Sequence, residues 1–141
     1  SVRRRQVNPR KIYPVDTGLM ALFELSGKPN TGHALETAVL HALQRLGAHT
    51  AYVHTPGGYE VDFSAQLPQG ETWLVQVCLD LTDPATLTRE VRALHDTQTL
   101  WPHARRMLIS LTTPPVLALP QGIELHRATT WLLNPETAQN P

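Results

Sequence analysis

Cysteine is almost missing from this 141-residue sequence, in which Cys78 is the single thiol. One cysteine cannot form an internal disulfide, so the sequence predicts a protein of a reducing compartment, which we take to be the cytoplasm. Stability must then come from buried apolar side chains, and a chain of this length buries enough surface without disulfide or metal cross-links. A lone cysteine in a buried strand is also more typical of a core than of a nucleophile.

Long apolar runs are lacking as well, because no segment approaches the roughly 20 residues that a membrane span needs. Charge of one sign is equally lacking, since 12 basic residues balance 12 acidic residues. A net charge of zero excludes a general attraction to nucleic acid or to a membrane, although it leaves local basic patches open. No Gly-x-x-x-x-Gly-Lys run is present, so this domain is not expected to bind ATP.

Positive charge is nevertheless concentrated near the N-terminus. The first eleven residues contain five basic side chains: Arg3, Arg4, Arg5, Arg10 and Lys11. They suit a contact with nucleic-acid phosphates, but they also suit a solvated linker from a missing upstream region. The linker is favoured, because no aromatic residue lies among the arginines as a base-stacking surface would require. Arg105 and Arg106 form a second, smaller basic pair.

Apolar periodicity predicts a mixture of helices and strands. The predicted helices are residues 18–25, residues 33–46 and one that begins at Asp83 and Pro84. The predicted strands are residues 51–55, 59–66, 73–79, 107–111 and 123–126. Their order, one long helix, three strands, a helix and two strands, predicts an α/β fold with a mixed β-sheet flanked by helices.

Three segments of different character divide the chain. Residues 1–12 read as the basic linker, residues 13–133 as the folded domain and residues 134–141 as a frayed tail. Within the domain, strict alternation in the second strand predicts two opposite faces. One face carries Tyr59, Val61, Phe63 and Ala65, and the other carries Glu60, Asp62 and Ser64.

Three polar residues on consecutive predicted elements form a candidate site: Glu36 on the long helix, Asp62 on the second strand and Gln76 on the third. Paired carboxylates bind hard cations such as Mg²⁺, which can polarise a phosphate and activate a water for hydrolysis. A lysine two residues beyond the third ligand commonly completes such a site, but Cys78 stands there. Taken singly, Glu36 and Asp62 are more typical of solvated surface acids.

Several segments in chain order resemble a known family. They are Asn8–Tyr13, Asp16–Leu19, Gly32–Glu36, Gly58–Phe63, Leu74–Cys78, Thr88–Glu90, Ala93–Leu94 and Trp131–Leu133. Together they cover almost the whole chain and resemble a domain of unknown function that follows the ATPase module in many bacterial and archaeal AAA-type ATPases. That family is similar to the PD-(D/E)xK restriction-endonuclease fold.

The resemblance implies roles for the candidate residues. Glu36 would be the helix acid, Asp62 the central acid, and the segment Gln76-Val77-Cys78 a degraded (D/E)xK element. A glutamine brings no charge to a metal, and a thiol with a pKa of about 8.5 is mostly neutral at pH 7. The motif positions are therefore expected to be degenerate, with Glu36 and Asp62 holding Mg²⁺ weakly or not at all.

The leading interpretation is a non-catalytic or weakly catalytic nuclease-like C-terminal module of an AAA-type ATPase that binds nucleic acid or protein. One alternative is an active metal-dependent nuclease that uses Glu36, Asp62 and Gln76. Another is a structural or dimerising module, in which the partner is a second copy of the chain. The partners expected are an upstream ATPase domain and nucleic acid bound weakly by charge, with no membrane.

Overall fold

The computed structural model describes residue 11, residues 13–16 and residues 30–136. In these ranges the elements are α1 (Thr31–Arg45), β1 (His49–His54), β2 (Glu60–Gln66), β3 (Thr72–Asp80), α2 (Pro84–Asp96), a 3₁₀ turn (Thr97–Thr99), β4 (Arg105–Thr112), β5 (Ile123–Arg127) and α3 (Ala128–Leu133). The predicted helix over residues 18–25 and the arginines before Lys11 lie outside the described residues. Across the described ranges, no helix is long and apolar enough to cross a membrane.

The five strands form one mixed sheet in the order β1-β2-β3-β4-β5. β1, β2 and β3 are antiparallel neighbours, whereas β4 runs parallel to β3 and β5 runs parallel to β4. A parallel neighbour needs a crossover connection, which α2 supplies between β3 and β4. The predicted fold class, an α/β domain with a mixed sheet flanked by helices, is confirmed.

Local sequence signals explain where the two long helices begin. The Asn30 side chain accepts a hydrogen bond from the backbone N–H of His33 at 3.1 Å and caps α1. The Asp83 carboxylate accepts from the first backbone N–H groups of α2, and Pro84 occupies the first helical position, where no N–H is needed. Beyond α1, Gly47 adopts a φ of 75°, which a residue with a β-carbon adopts only at a cost.

Helices cover both faces of the sheet, so its central strands are buried on two sides. On one face α1 and α3 pack against apolar residues of β2, β3 and β4: Phe63, Ala65, Trp73, Val75, Met107 and Ile109. On the other face α2 packs against Val53, Val61, Leu74, Leu108 and Ile123. This arrangement accounts for the nearly continuous apolar run in β3.

The strict alternation predicted for β2 is wrong at its centre. Ala51 pairs with Ser64 and Val53 pairs with Val61, so two residues of β2, Asp62 and Phe63, lie opposite Tyr52 alone. An extra residue of this kind is a β-bulge, which reverses the inside and outside positions of the strand. Val61 therefore packs on the α2 side of the sheet, whereas Phe63 packs on the α1 side.

The helix α3 was not predicted, and it completes the α1 layer by burying Trp131.

The second basic pair is engaged within the fold rather than offered to phosphates. The Arg105 guanidinium contacts Glu124 at 2.7 Å. Arg106 is only 8% exposed, and it donates to the Thr97 hydroxyl and to the backbone carbonyls of Trp101 and Ala104.

Candidate functional site

The candidate site lies where β2 and β3 move apart. Ladder pairing between these strands ends at Phe63 and Val75. Beyond that pair, side-chain oxygens replace backbone carbonyls as hydrogen-bond acceptors. The Asp62 backbone N–H donates to Gln76 Oε1 at 3.1 Å. The Val77 backbone N–H donates to Asp62 Oδ2 at 2.9 Å. Buried N–H groups need acceptors, so these two hydrogen bonds hold both side chains across the gap.

Gln76 connects this gap to helix α2. Its oxygen must face the Asp62 N–H, because that group can only donate, and its amide nitrogen must then face the other way. The nitrogen donates to Glu90 Oε2 on α2, and Glu90 is only 5% exposed. The other carboxylate oxygen of Glu90 accepts from Arg89 Nη2 at 2.6 Å. Gln76 therefore connects β2 to α2, because its side-chain oxygen and nitrogen are both hydrogen-bonded.

Lys11 brings a positive charge to the two predicted acids. Its Nζ lies 2.9 Å from Asp62 Oδ1 and 3.2 Å from Glu36 Oε1, so one ammonium joins β2 to α1. Burial by itself lowers the pKa of Lys11, but the hydrogen bond and the charge of Asp62, together with Glu36, outweigh it and raise that pKa above its usual value. Lys11 is therefore fully protonated at neutral pH.

Tyr13 holds the remaining oxygen of Glu36. Its hydroxyl donates to Glu36 Oε2 at 3.1 Å, and its ring packs 5.4 Å from His33 and 5.8 Å from Phe63, measured between ring centroids. Burial raises the pKa of Tyr13 well above its ordinary value, and the nearby charge of Glu36 raises it further. Tyr13 thus remains a hydrogen-bond donor over the physiological pH range.

Burial and a neighbouring negative charge both disfavour ionisation of Asp62. The residue is 8% exposed, and this burial is the largest cause that raises its pKa, followed by the charge of Glu36. The hydrogen bonds from Lys11 and from the Val77 backbone oppose the shift but do not cancel it, so the pKa of Asp62 rises from 3.8 to about 6. The ion pair acts on the two groups in opposite directions. The carboxylates raise the pKa of Lys11, whereas Lys11 lowers the pKa of Asp62 and offsets only part of the effect of burial and of Glu36.

A cleft of about 450 Å³ opens beside these residues. Its charged lining residues are Glu36, Glu60, Asp62, Glu90 and Arg89. An adjoining groove of about 680 Å³ shares Glu60 and Asp62 with the cleft and is lined in part by Lys11, Tyr13 and Tyr52. Four carboxylates against two cations make this surface acidic, so it repels a phosphate unless a further cation neutralises it.

Cys78 does not supply what the missing lysine would supply. It is not among the residues that line the cleft, and its Sγ contacts the backbone oxygen of Asp80 at 3.3 Å. Burial raises the pKa of its thiol above the usual value, so it is neutral at pH 7. The thiol also packs against the apolar cluster under α2, in keeping with the structural role that the sequence favours.

The structure thus brings Glu36 and Asp62 together and places Gln76 next to them through the Asp62 backbone. Four further residues of the site, Lys11, Tyr13, Arg89 and Glu90, were not assigned to it from the sequence. The sequence alone places Lys11 in the basic linker, because a contact between residues 51 positions apart leaves no local pattern. All four residues lie in resembling segments, Lys11 and Tyr13 in Asn8–Tyr13 and Arg89 and Glu90 in Thr88–Glu90, and this resemblance is the one signal that the sequence offers for them.

No protein-family model, no curated protein and no solved structure matches this chain. The resemblance to the ATPase-associated domain therefore rests on the sequence motifs alone.

We expect Asp62 to titrate near pH 6 in the folded protein, against 3.8 for an ordinary aspartate. The folded state then binds a proton more tightly than the unfolded state, so the free energy of unfolding falls as pH rises between these values, by about 3 kcal/mol. A carboxyl ¹³C NMR titration measures this pKa directly. The Asp62→Asn variant lacks the resonance and should show a flatter stability profile from pH 4 to pH 6, and a pKa near 4 would contradict the expectation.

We expect Gln76→Glu to destabilise the protein by about 1–3 kcal/mol at pH 7, because it places a carboxylate against buried Glu90 in place of a donor. The double variant Gln76→Glu with Glu90→Gln should recover most of this loss, since the new amide can donate across the same contact. Urea unfolding of the two single variants and the double variant measures the coupling between the positions. Additive losses would show that the two side chains do not interact.

Proposed function

We propose that this protein is a nuclease-like module with little or no catalytic activity that binds nucleic acid or protein. It works in the cytoplasm beside an ATPase domain of the same chain. The single observation that carries the proposal is the state of Gln76. The residue that would be the third ligand of a nuclease site instead bonds to the Asp62 backbone and to Glu90. Gln76 therefore links β2 to α2 through hydrogen bonds, and as a neutral side chain it brings no negative charge to a metal.

The order of the elements supports the nuclease-like part of the proposal. One helix, three antiparallel strands, a second helix and a parallel strand follow one another, with Glu36, Asp62 and Gln76 on the first helix, the second strand and the third strand. This is the placement that the resemblance to the PD-(D/E)xK fold implies. The acids meet at the point where β2 and β3 separate, and the cleft at this point is lined by side chains of both α1 and α2.

The cleft does not fit the magnesium ion that the resemblance implies. The oxygens of Glu36 and Asp62 accept hydrogen bonds from Lys11, Tyr13 and the Val77 backbone, and the oxygen of Gln76 is engaged as well. In the part of the chain that the structure describes, no group of three or more His, Cys, Asp or Glu residues is arranged to hold a metal ion. No catalytic step through a metal is therefore assigned.

A second candidate function, an active metal-dependent nuclease, is favoured by one observation. Lys11 supplies an ammonium beside Asp62 and Glu36, so the positive charge absent at Cys78 is present in the groove that adjoins the cleft, from another segment of the chain. In that case Lys11 would face the scissile phosphate, and its replacement by methionine would lower the rate of cleavage.

We expect no useful cleavage of single- or double-stranded DNA or RNA with Mg²⁺ or Mn²⁺. Loss of one preorganised electrostatic contact typically lowers a rate about 10²- to 10³-fold, and Gln76 and Cys78 represent two such losses. The assay compares the protein with its Asp62→Ala variant, which removes the central acid. Metal-dependent cutting that disappears in Asp62→Ala would overturn the proposal and establish the second candidate.

We expect nucleic-acid binding to be weak and mainly electrostatic, through the basic N-terminal segment rather than the acidic cleft. A few phosphate contacts give a slope of log K against log salt concentration on the order of two to four. Changing Arg3, Arg4 and Arg5 to alanine should flatten that slope, as measured by fluorescence anisotropy with a labelled oligonucleotide. The matched control changes three exposed arginines of the folded domain: Arg45, Arg92 and Arg127. Equal effects of the two triple variants would contradict this assignment.

A further inference from the structure

We infer that Lys11 is the resident cation of the carboxylate pair Glu36 and Asp62, and that its ammonium keeps divalent metal ions out of the cleft. The inference starts from the mismatch between these residues and the metal that a nuclease-like site would carry. It concerns the cleft on which the proposed function also rests, but it depends on the Lys11 contacts and not on any activity toward nucleic acid.

All four oxygens of the two carboxylates already accept a hydrogen bond. Lys11 Nζ donates to Asp62 Oδ1 and to Glu36 Oε1, at 2.9 Å and 3.2 Å. The Val77 backbone N–H donates to Asp62 Oδ2, and the Tyr13 hydroxyl donates to Glu36 Oε2. The last two donors are held by strand β3 and by aromatic packing, whereas Lys11 is a flexible side chain that is 36% exposed. The ammonium is therefore the donor that a metal ion would have to displace.

The ammonium also occupies the place that is right for a cation. It touches one oxygen of each acid, at distances close to those of a hydrogen-bonded ion pair, and it lies 4.9 Å from the centre of the Tyr52 ring. Removal of the ammonium would leave Asp62 Oδ1 and Glu36 Oε1 facing a common space with two negative charges and no counterion. Glu60, which lines the same cleft, would add to this negative field. Hard divalent cations prefer oxygen ligands of this type.

Charge balance gives the same answer. Asp62 is only 8% exposed and one of its oxygens faces Lys11 together with an oxygen of Glu36, so water screens the repulsion between the two carboxylates poorly. A cation is thus required for the pair to be ionised together, and the chain carries one of its own at that place. A metal ion with two charges would satisfy the pair better than one ammonium, but only after Lys11 has left.

The test is isothermal titration calorimetry of the 141-residue protein and its variants with MnCl₂ at pH 7.5. Lys11→Met removes the charge and keeps the length of the side chain, and Lys11→Arg keeps the charge. We expect Lys11→Met to bind Mn²⁺ at one site, with an affinity at least about tenfold higher than that of the unaltered protein. Lys11→Arg should bind as weakly as the unaltered protein, and Lys11→Met with Asp62→Asn should lose the gain.

Two results would overturn the inference: Lys11→Met binding Mn²⁺ no better than the unaltered protein, or tight Mn²⁺ binding by the unaltered protein itself. Circular dichroism checks the fold of each variant, and Lys11→Gln replaces Lys11→Met if the latter does not fold. The readout is metal binding alone, so it is separate from the cleavage assay. A gain of Mn²⁺ binding without cleavage would support both proposals, whereas a gain of binding with cleavage would sustain the inference and refute the proposed lack of catalysis.

Discussion

The separation of β2 from β3 at Asp62 is the constraint on which the cleft depends. An extra residue in β2 opposite Tyr52 bends the strand, and the ladder between β2 and β3 ends one residue away. A buried N–H without an acceptor costs about 1–3 kcal/mol, so the side chains of Gln76 and Asp62 supply the oxygens that the ladder no longer provides. The same two bonds fix where Asp62 can point, and hence where Lys11 and Glu36 meet it.

Charge in the cleft is divided into two groups by an uncharged residue. Arg89 is paired with Glu90 on the α2 side, Lys11 is paired with Asp62 and Glu36 on the α1 side, and Gln76 lies between the groups. A carboxylate in place of Gln76 would face buried Glu90 without a donor between them. The glutamine is therefore suited to this fold for a physical reason, whatever the history of the motif.

The fold was largely predictable from the sequence, whereas the site was predictable only in part. Apolar periodicity and helix-start signals identified α1, α2 and all five strands, because these elements bury the residues that produce the pattern. Helix α3 is six residues long, and so short a helix leaves too weak a periodic signal. Glu36, Asp62 and Gln76 were singled out by type and order, but strict alternation misplaced the faces of β2, since a bulge has no reliable mark in the sequence.

The sequence by itself determined the class of the domain, the order of its elements and the absence of a lysine two residues after Gln76. Only the tertiary structure decided how the charges pair. Lys11 and Asp62 are 51 positions apart, and Gln76 and Glu90 are 14 apart, so their contacts arise from packing of separate elements and not from local spacing. Whether a buried carboxylate faces an ammonium, an amide or a metal depends on these distances, because electrostatic energy inside a protein changes steeply over a few ångströms.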